Sequence, residues 1–440
     1  MNGPELMVVA APWVLMLLSI GTLLASTRAA RRKRLVDDIP TSKTTGVFIG
    51  LVELKGTAEV ERVLVSYLAG QPCVEYSWRV DEHWSRTVTE TYTDSKGNTQ
   101  TRIRHESGWT TVASGGEMIP FYLKDSEGAV LIRPEGASIE GASVFNVTCG
   151  RGDALYYDKG PAHAVSDSDH RRCFVETAIA LHAPIYVVGQ SRERQDMVAP
   201  EIAANPDAPL FLISTRTEEQ VSRSYGWGGI GWGIMGLVLW GGGGFFFSGY
   251  FHPGQINPWI IAASVVMYLG LWMLSWVWMV YNSIIDLRQR VRQGWSQVDV
   301  QLKRRFDLVP NLVSAITGYR DYEQRLQTEL AALRSQGMAT PPGVPGPDYA
   351  ACLPTIVAIG EKYPDLKAQE NFLLLQKTLT DTEQRIALAR GYFNEIASFY
   401  NARLEVVPDR FITALGRLQP QPLMAANDFE RTPVAVQFTS

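Results

Sequence analysis

The residues of this chain with chemical potential are few and scattered, and their spacing argues against a reaction centre. His170 and Cys173 stand three apart, and His83 and His105 are further histidines of the same region. Imidazole and thiolate are ordinary zinc ligands, but a closed zinc site needs four of them in a tetrahedron. Each pair lacks its complement, so structural or solvated roles are expected. The four cysteines, Cys73, Cys149, Cys173 and Cys352, are isolated, with no Cys-x-x-Cys step. That usage suits a reducing compartment rather than a disulfide scaffold, and each is expected to be a buried free thiol. Neither Gly-x-Ser-x-Gly nor His-Glu-x-x-His occurs. No catalytic residue, metal site or cofactor is therefore expected. Asp125 opens the turn Asp-Ser-Glu-Gly and is expected to cap it by accepting backbone N–H bonds. The polar stretch 166–172 reads as a solvated loop. Asp299, Lys303 and Asp307 form an i, i+4 ladder with Arg304 beside it. Such ladders are ordinarily a solvated helix face, and here they form the candidate interaction surface. The formal net charge of -4 over 440 residues offers no basic footprint for nucleic acid.

The elements that must carry these residues begin with three apolar stretches. Residues 8–26 carry no charge and are about long enough to span a ~30 Å hydrocarbon core. Their positive charges follow rather than precede them, so a retained anchor is expected rather than a cleaved signal. Residues 227–248 and 259–280 are two further runs, separated by a short polar connection free of Lys and Arg. Together they predict a transmembrane hairpin. Trp227, Trp259, Trp276 and Trp278 suit the membrane interfaces. Gly229 and Gly233 form a small-xxx-small step that lets helices approach closely, and so offer one route to oligomers.

Orientation is read from the flanks. Arg28, Arg31, Arg32, Lys33 and Arg34 follow the first run. Arg216 and Arg223 precede the second, and Arg288, Arg290 and Arg292 follow the third. Residues 1–7 and the hairpin connection have no Lys or Arg. The positive-inside rule then places the N-terminus outside and both large soluble parts inside.

After a basic linker at 27–45, residues 46–216 switch to short β-branched and aromatic runs broken by turn signals. Val-Phe-Ile-Gly-Leu-Val-Glu-Leu, Phe-Tyr-Leu-Lys and Pro-Ile-Tyr-Val-Val-Gly predict strands, and Asp94–Asn98 predicts a hairpin turn. Trp109 and Phe121 read as core anchors. The order Pro72-Cys73, Trp109, Pro120-Phe121, Asp125-x-x-Gly128 and the closing stretch 176–189 resembles the GIDE-type domain. That resemblance implies a β-rich (α+β) domain of the kind found in a mitochondrial ubiquitin ligase and in prokaryotes. Ligase activity in that relative belongs to a separate RING module, whose zinc-ligand spacing is not found in this sequence.

Beyond the third run a helical stripe continues through Leu287, Val291, Trp295, Val298, Leu302, Phe306, Val309, Val313 and Ile316. Standing upright, such a helix carries Arg304 about 30 Å from the bilayer. Pro310 is expected to kink or restart it. A Pro/Gly loop at 340–348 and a short helix at 353–361 lead into a second stripe: Phe372, Leu375, Leu379, Ile386, Phe393, Ile396 and Tyr400. Its near-heptad spacing is that of a coiled coil, and the two stripes predict an antiparallel bundle over 281–412 with a tail at 413–440. Asn282, the stretch 290–313, Tyr-Pro-Asp-Leu-Lys at 363–367, Tyr-Asn-Ala-Arg-Leu-Glu-Val-Val-Pro at 400–408 and the ending 427–438 resemble the LemA family. The resemblance implies an all-α, bacterial-type membrane protein with no assigned catalytic residues.

The function expected from the whole is a membrane protein with three transmembrane helices acting as a non-enzymatic scaffold or adaptor. It is expected to self-associate in the bacterial plasma (inner) membrane, with a mitochondrial membrane as runner-up, and to meet a membrane or cytoplasmic protein partner. The alternative is an envelope sensor that binds a ligand in the GIDE-like domain. An enzyme or ligase component is a third reading.

Overall fold

The computed structural model describes residues 3–93, 99–194, 199–206, 208–251, 257–317 and 370–424. They form two units, one from Met1–Pro40 with Glu218–Ser440 and the other from Thr41–Thr217.

In chain order, helix α1 (Gly3–Asp37) is followed by strands β1 (Thr41–Ser42), β2 (Gly50–Glu59) and β3 (Leu64–Val65). The long strands β4 (Pro72–Thr93) and β5 (Thr99–Met118) come next, then β6 (Phe121–Lys124), β7 (Ala129–Ile132), β8 (Ser138–Glu140) and β9 (Ala142–Gly150). A short helix α2 (Ala154–Asp158) precedes β10 (Ser168–Ala180), β11 (Pro184–Glu193), β12 (Pro200–Ala203) and β13 (Leu212–Ser214). The chain then turns helical in α3 (Glu218–Phe251), α4 (Pro258–Thr317), α5 (Glu370–Glu405) and α6 (Asp409–Leu415).

Within the β unit, strand pairing runs β2–β6–β7–β12–β11 and returns to β2, a closed ring of five strands. Closure leaves those strands no open edge. Alternating inward residues fill the ring: Val52, Leu54, Phe121, Leu123, Ile132, Val187 and Ile202 are all essentially solvent-free. A second sheet, β3–β4–β10–β9 with β5 against β4, packs Val80 and Phe174 into its own core with Tyr156. Beyond the pairing of Trp84 with Ser168, β4 and β5 continue alone as a two-stranded arm to the pair Thr93 and Thr99. The expected turn 94–98 lies outside the described residues. Phe121 is a core residue as expected, but Trp109 is not. It is 48% exposed on β5, its ring set edge-on against His83 at 4.9 Å. Trp109 pairs across the strands with His83.

Three helices of the other unit are long and apolar enough to cross a membrane, within Ala10–Asp37, Glu218–Tyr250 and Pro258–Arg305. The basic stretch after the first apolar run is not a separate connector, because helix α1 runs unbroken to Asp37. Likewise α4 continues through Pro310 to Thr317 as one element of 60 residues. α4 and α5 pack antiparallel: Trp295 meets Phe393 edge-on at 5.7 Å, and Arg305 meets Glu383 at 3.3 Å, so one number falls as the other rises. Val291, Val298 and Leu302 on α4, and Leu379, Ile386, Phe393, Ile396 and Tyr400 on α5, are the buried stripe. The loop at 340–348, the short helix at 353–361 and the ending 427–438 lie outside the described residues. Part of the tail is ordered by side-chain amides that imitate peptide groups. Asn401 exchanges two hydrogen bonds with the backbone of Gln421 (2.9 and 2.8 Å), and Asn394 does the same with Met424 (3.1 and 2.8 Å).

One buried acid stands out in the β unit. Glu75 on β4 is 5% exposed and its Oε2 has no hydrogen-bond partner. Burial pushes its carboxyl up to about 7. The folded state therefore holds a proton that the unfolded chain gives up near pH 4.5, and stability is lost as pH rises from there through about 7. The loss amounts to about 3 kcal/mol at most. Thermal melts of the full chain at pH 5 and pH 8 check this: wild type loses stability at the higher pH, and Glu75→Gln flattens that dependence.

Candidate functional site at the basic ends of the long apolar helices

The β unit contains several charged clusters, and each is closed upon itself. Arg172 is fully buried. It donates to Glu82 Oε2 through Nε and Nη2 (3.2 and 3.1 Å) and to the carbonyls of Tyr156, Pro161 and His163. Its guanidinium also lies over the Tyr156 ring at 3.9 Å. Burial works to raise the Glu82 carboxyl, but hydrogen bonds from Ser168, Tyr156 and Arg172 outweigh it and hold the group below its ordinary range. Glu201 is similarly held between Arg133 (2.7 Å) and Arg192 (2.8 Å). Such satisfied pairs fix loops and strand register; none leaves a group poised for catalysis.

The histidine and cysteine candidates do not converge. His170 Nδ1 lies 3.4 Å from the Tyr156 hydroxyl, whereas Cys173 Sγ is 3.9 Å from Asn146 Oδ1. His83 contacts Asp169 at 2.5 Å, and His105 contacts Thr87 at 3.0 Å. Among the described residues no group of three His, Cys, Asp or Glu side chains could hold a metal ion. Cys73 and Cys149 are buried free thiols and Cys173 is partly exposed. Asp125 caps its turn, accepting from the backbone of Glu127 (2.8 Å) and Gly128 (2.9 Å), and also binds Thr44.

An open arrangement lies instead where the helices turn basic. α1 and α3 run antiparallel, as shown by Ser19 donating to the Gly236 carbonyl (2.8 Å) and Ser26 to the Gly229 carbonyl (2.7 Å). From α4, Tyr268 donates to the Gly233 carbonyl at 3.0 Å. Glycine is required at 236, where a Cβ would meet Thr22 Oγ1 at 2.5 Å and press on the Tyr268 hydroxyl, whereas one at Gly229 would make ordinary contact with the Ser26 carbonyl at 3.4 Å. The small-xxx-small step of Gly229 and Gly233 is thus packed within the chain, against Ser26, Ala29 and Ala30 of α1 and Trp272 of α4.

That register brings the basic end of α1 to the start of α3, the middle of α4 and the end of α5. Lys33 Nζ donates to Asp37 (2.5 Å) and Ser222 (3.1 Å), and Arg31 pairs with Asp286 at 2.7 Å. Arg34 forms a two-pronged pair with Asp409 (2.7 and 2.9 Å), whose side chain is 2% exposed. Arg403 grips Asp38 Oδ1 through Nε and Nη2 (3.0 and 2.8 Å). Burial pushes the Asp38 carboxyl up, while the Arg403 guanidinium pulls against it. Beneath this collar lies a cavity of about 400 Å³. Its wall on α1 is Ser26, Ala30, Lys33, Arg34 and Asp37; on α3 Gly226, Gly229 and Ile230; on α4 Trp272, Trp276 and Met279; and Arg403 of α5 completes it.

Of the residues expected from sequence, Gly229 lines this cavity, whereas Asp299, Lys303, Arg304 and Asp307 do not. Those four are exposed on α4, roughly 30 Å or more further along the helix by its rise per residue. Arg305, next to them in the same basic run, is turned inward and fully buried against Glu383. Arg34, Asp38, Arg403 and Asp409 were not legible as a group, since 365 to 375 residues separate their partners.

Two family models match parts of the chain. Residues 294–438 match the model of the LemA family, and residues 89–245 match the GIDE model, described as E3 Ubiquitin ligase. Magnetosome proteins MamQ 2 and MamQ 1 of Paramagnetospirillum magneticum are each 21% identical over 183 residues, covering 35% of this chain. The chain spans 65% of the length of these curated relatives.

Removing one partner from a mostly buried ion pair leaves the other uncompensated, at a cost of about 3 kcal/mol or more. Asp409→Ala is expected to destabilise the helical unit by that order. In a double-mutant cycle with Arg34→Ala, measured by thermal unfolding in detergent, the two losses are expected to be far from additive. Additive losses contradict the pairing.

Proposed function

We propose that this chain, a GIDE-type segment joined to a LemA-type helical segment, is a membrane-anchored, non-enzymatic scaffold. Both large parts face the same, inner side of a plasma membrane. The observation that carries the reading is the packing of three membrane-length helices whose basic ends meet at one level, where Lys33, Arg31 and Arg34 of α1 bond to α3, α4 and α6. A shared basic level is what the positive-inside rule asks of a protein with this charge pattern. Buried charges that satisfy one another serve rigidity rather than turnover, which suits a scaffold.

The ligase description of the GIDE match is not carried over. A RING needs about two zinc sites built from paired cysteines and histidines, and the cysteines of this sequence stand singly. The relatives' designation as magnetosome proteins agrees with a role at membranes. Self-association and a protein partner are part of the proposal. With the Gly229 and Gly233 face engaged by α1, the self-contact falls to other surfaces, of which the exposed charges Asp299, Lys303 and Arg304 on α4 are the first to test.

Two readouts test this. In a cysteine-free background, a membrane-impermeant maleimide should label Asn2→Cys from outside intact cells and Thr101→Cys only after permeabilisation. Mass photometry of the full chain in mild detergent should give a defined homo-oligomer. Labelling of Thr101→Cys from outside overturns the orientation, and a monomer at every concentration overturns the self-association.

A further inference from the structure

The cavity beneath the basic collar has the chemistry of a lipid site. Its lower wall is apolar, with Trp272 and Trp276 one helical turn apart on α4 and Met279 on the next. Its upper rim carries Lys33 and Asp37 from α1. Volumes of about 300–1,000 Å³ are typical of ligand pockets, and this one, at about 400 Å³, lies within that range. Its depth is set by the sequence. Ser26 ends the first apolar run, Gly226 stands just before the second, and Trp272 and Trp276 lie near the end of the third. The site therefore sits where hydrocarbon gives way to headgroups, the level at which tryptophan is favoured.

Most of the charges at the rim are held in pairs. Arg34 is bound to Asp409 and Arg403 to Asp38, so neither cation has its charge uncompensated. Lys33 spends two hydrogen bonds on Asp37 and Ser222, leaving one of an ammonium's three donors for a ligand. The Asp37 carboxylate accepts from Lys33 and from Ser222 (2.5 Å), and its two oxygens retain further acceptor capacity. The two side chains thus offer one donor and one acceptor of opposite charge, side by side, above an aromatic slot.

We propose that this cavity binds a zwitterionic phospholipid, its phosphate on Lys33, its headgroup ammonium on Asp37 and an acyl chain along Trp272 and Trp276. A net-anionic lipid meets the Asp37 carboxylate without a cation to offer. A soluble phosphate lacks the chain that fills the apolar wall.

Native mass spectrometry of the delipidated full chain, titrated with phosphatidylethanolamine or phosphatidylglycerol, tests the assignment. Phosphatidylethanolamine is expected to bind at least several-fold more tightly than phosphatidylglycerol. Lys33→Gln and Asp37→Asn should each weaken it by about tenfold, and Ala30→Phe, which fills the cavity, should abolish it. Unchanged thermal melting of Ala30→Phe identifies its loss as occlusion rather than misfolding. Three results overturn the proposal: phosphatidylglycerol binding as tightly, unaltered binding to all three variants, or displacement of the lipid by millimolar inorganic phosphate. The oligomeric state is read from the same spectra. Loss of lipid binding with the oligomer intact refutes the lipid site without touching the scaffold reading.

Discussion

A polar backbone inside hydrocarbon can be satisfied only by its own helix or by a neighbour close enough to reach it. In this chain that closeness is set by α3, whose carbonyls at Gly229, Gly233 and Gly236 accept hydroxyls from Ser26, Tyr268 and Ser19. Each such bond is worth only about 0.6 kcal/mol on average in membrane proteins. Their value is geometric. Two serines seven residues apart on α1 meet two glycines seven apart on α3, which fixes register and direction together.

Register at that seam determines what happens at its basic end. Helix α1 continues past the apolar run to Asp37, so its arginines project from a rigid rod rather than a loose connector. Arg34 then reaches Asp409 at the start of α6, and Asp38, just beyond the helix, reaches Arg403 on α5. Those contacts tie residues near the N-terminus to the end of the long helical pair. Burying such pairs brings little net stability compared with apolar packing, because desolvation offsets the attraction. They do impose a penalty on any arrangement that separates them.

How much of this could be read without coordinates depended on whether the signal was local. Apolar length gave the three spans, and a three-to-four residue stripe gave α4 and α5, because both patterns repeat within one element. The turn at Asp125 was equally legible, being closed by residues two and three positions on. Trp109 was misread as core, since burial of a strand residue depends on what packs against its face, and Trp109 lies beyond the cluster that takes up Val112 and Ala113 of the same strand. The ring closure of β2 with β11 joins residues more than a hundred apart and leaves no local mark. Arg305 looked like its exposed neighbours Lys303 and Arg304, and only its angle on the helix turns it to Glu383. The ion-pair collar was beyond reach for the same reason, its partners lying hundreds of residues apart. Gly229 and Gly233 were read as a packing motif, but sequence does not say whether the partner is another copy or, as here, α1.

The glycine-faced seam of α1 and α3 holds the C-terminal helices in place at its end. The most direct measurement is hydrogen–deuterium exchange on α6 of the full chain in nanodiscs, comparing Gly236→Leu with Gly231→Leu. A side chain at 236 collides with Thr22 and Tyr268, whereas nothing lies within 4 Å of a Cβ at Gly231. The account predicts that Gly236→Leu strips protection from α6 and the end of α5 while the β2–β11 strands keep theirs, and that Gly231→Leu changes neither. Full protection of α6 in Gly236→Leu would contradict it.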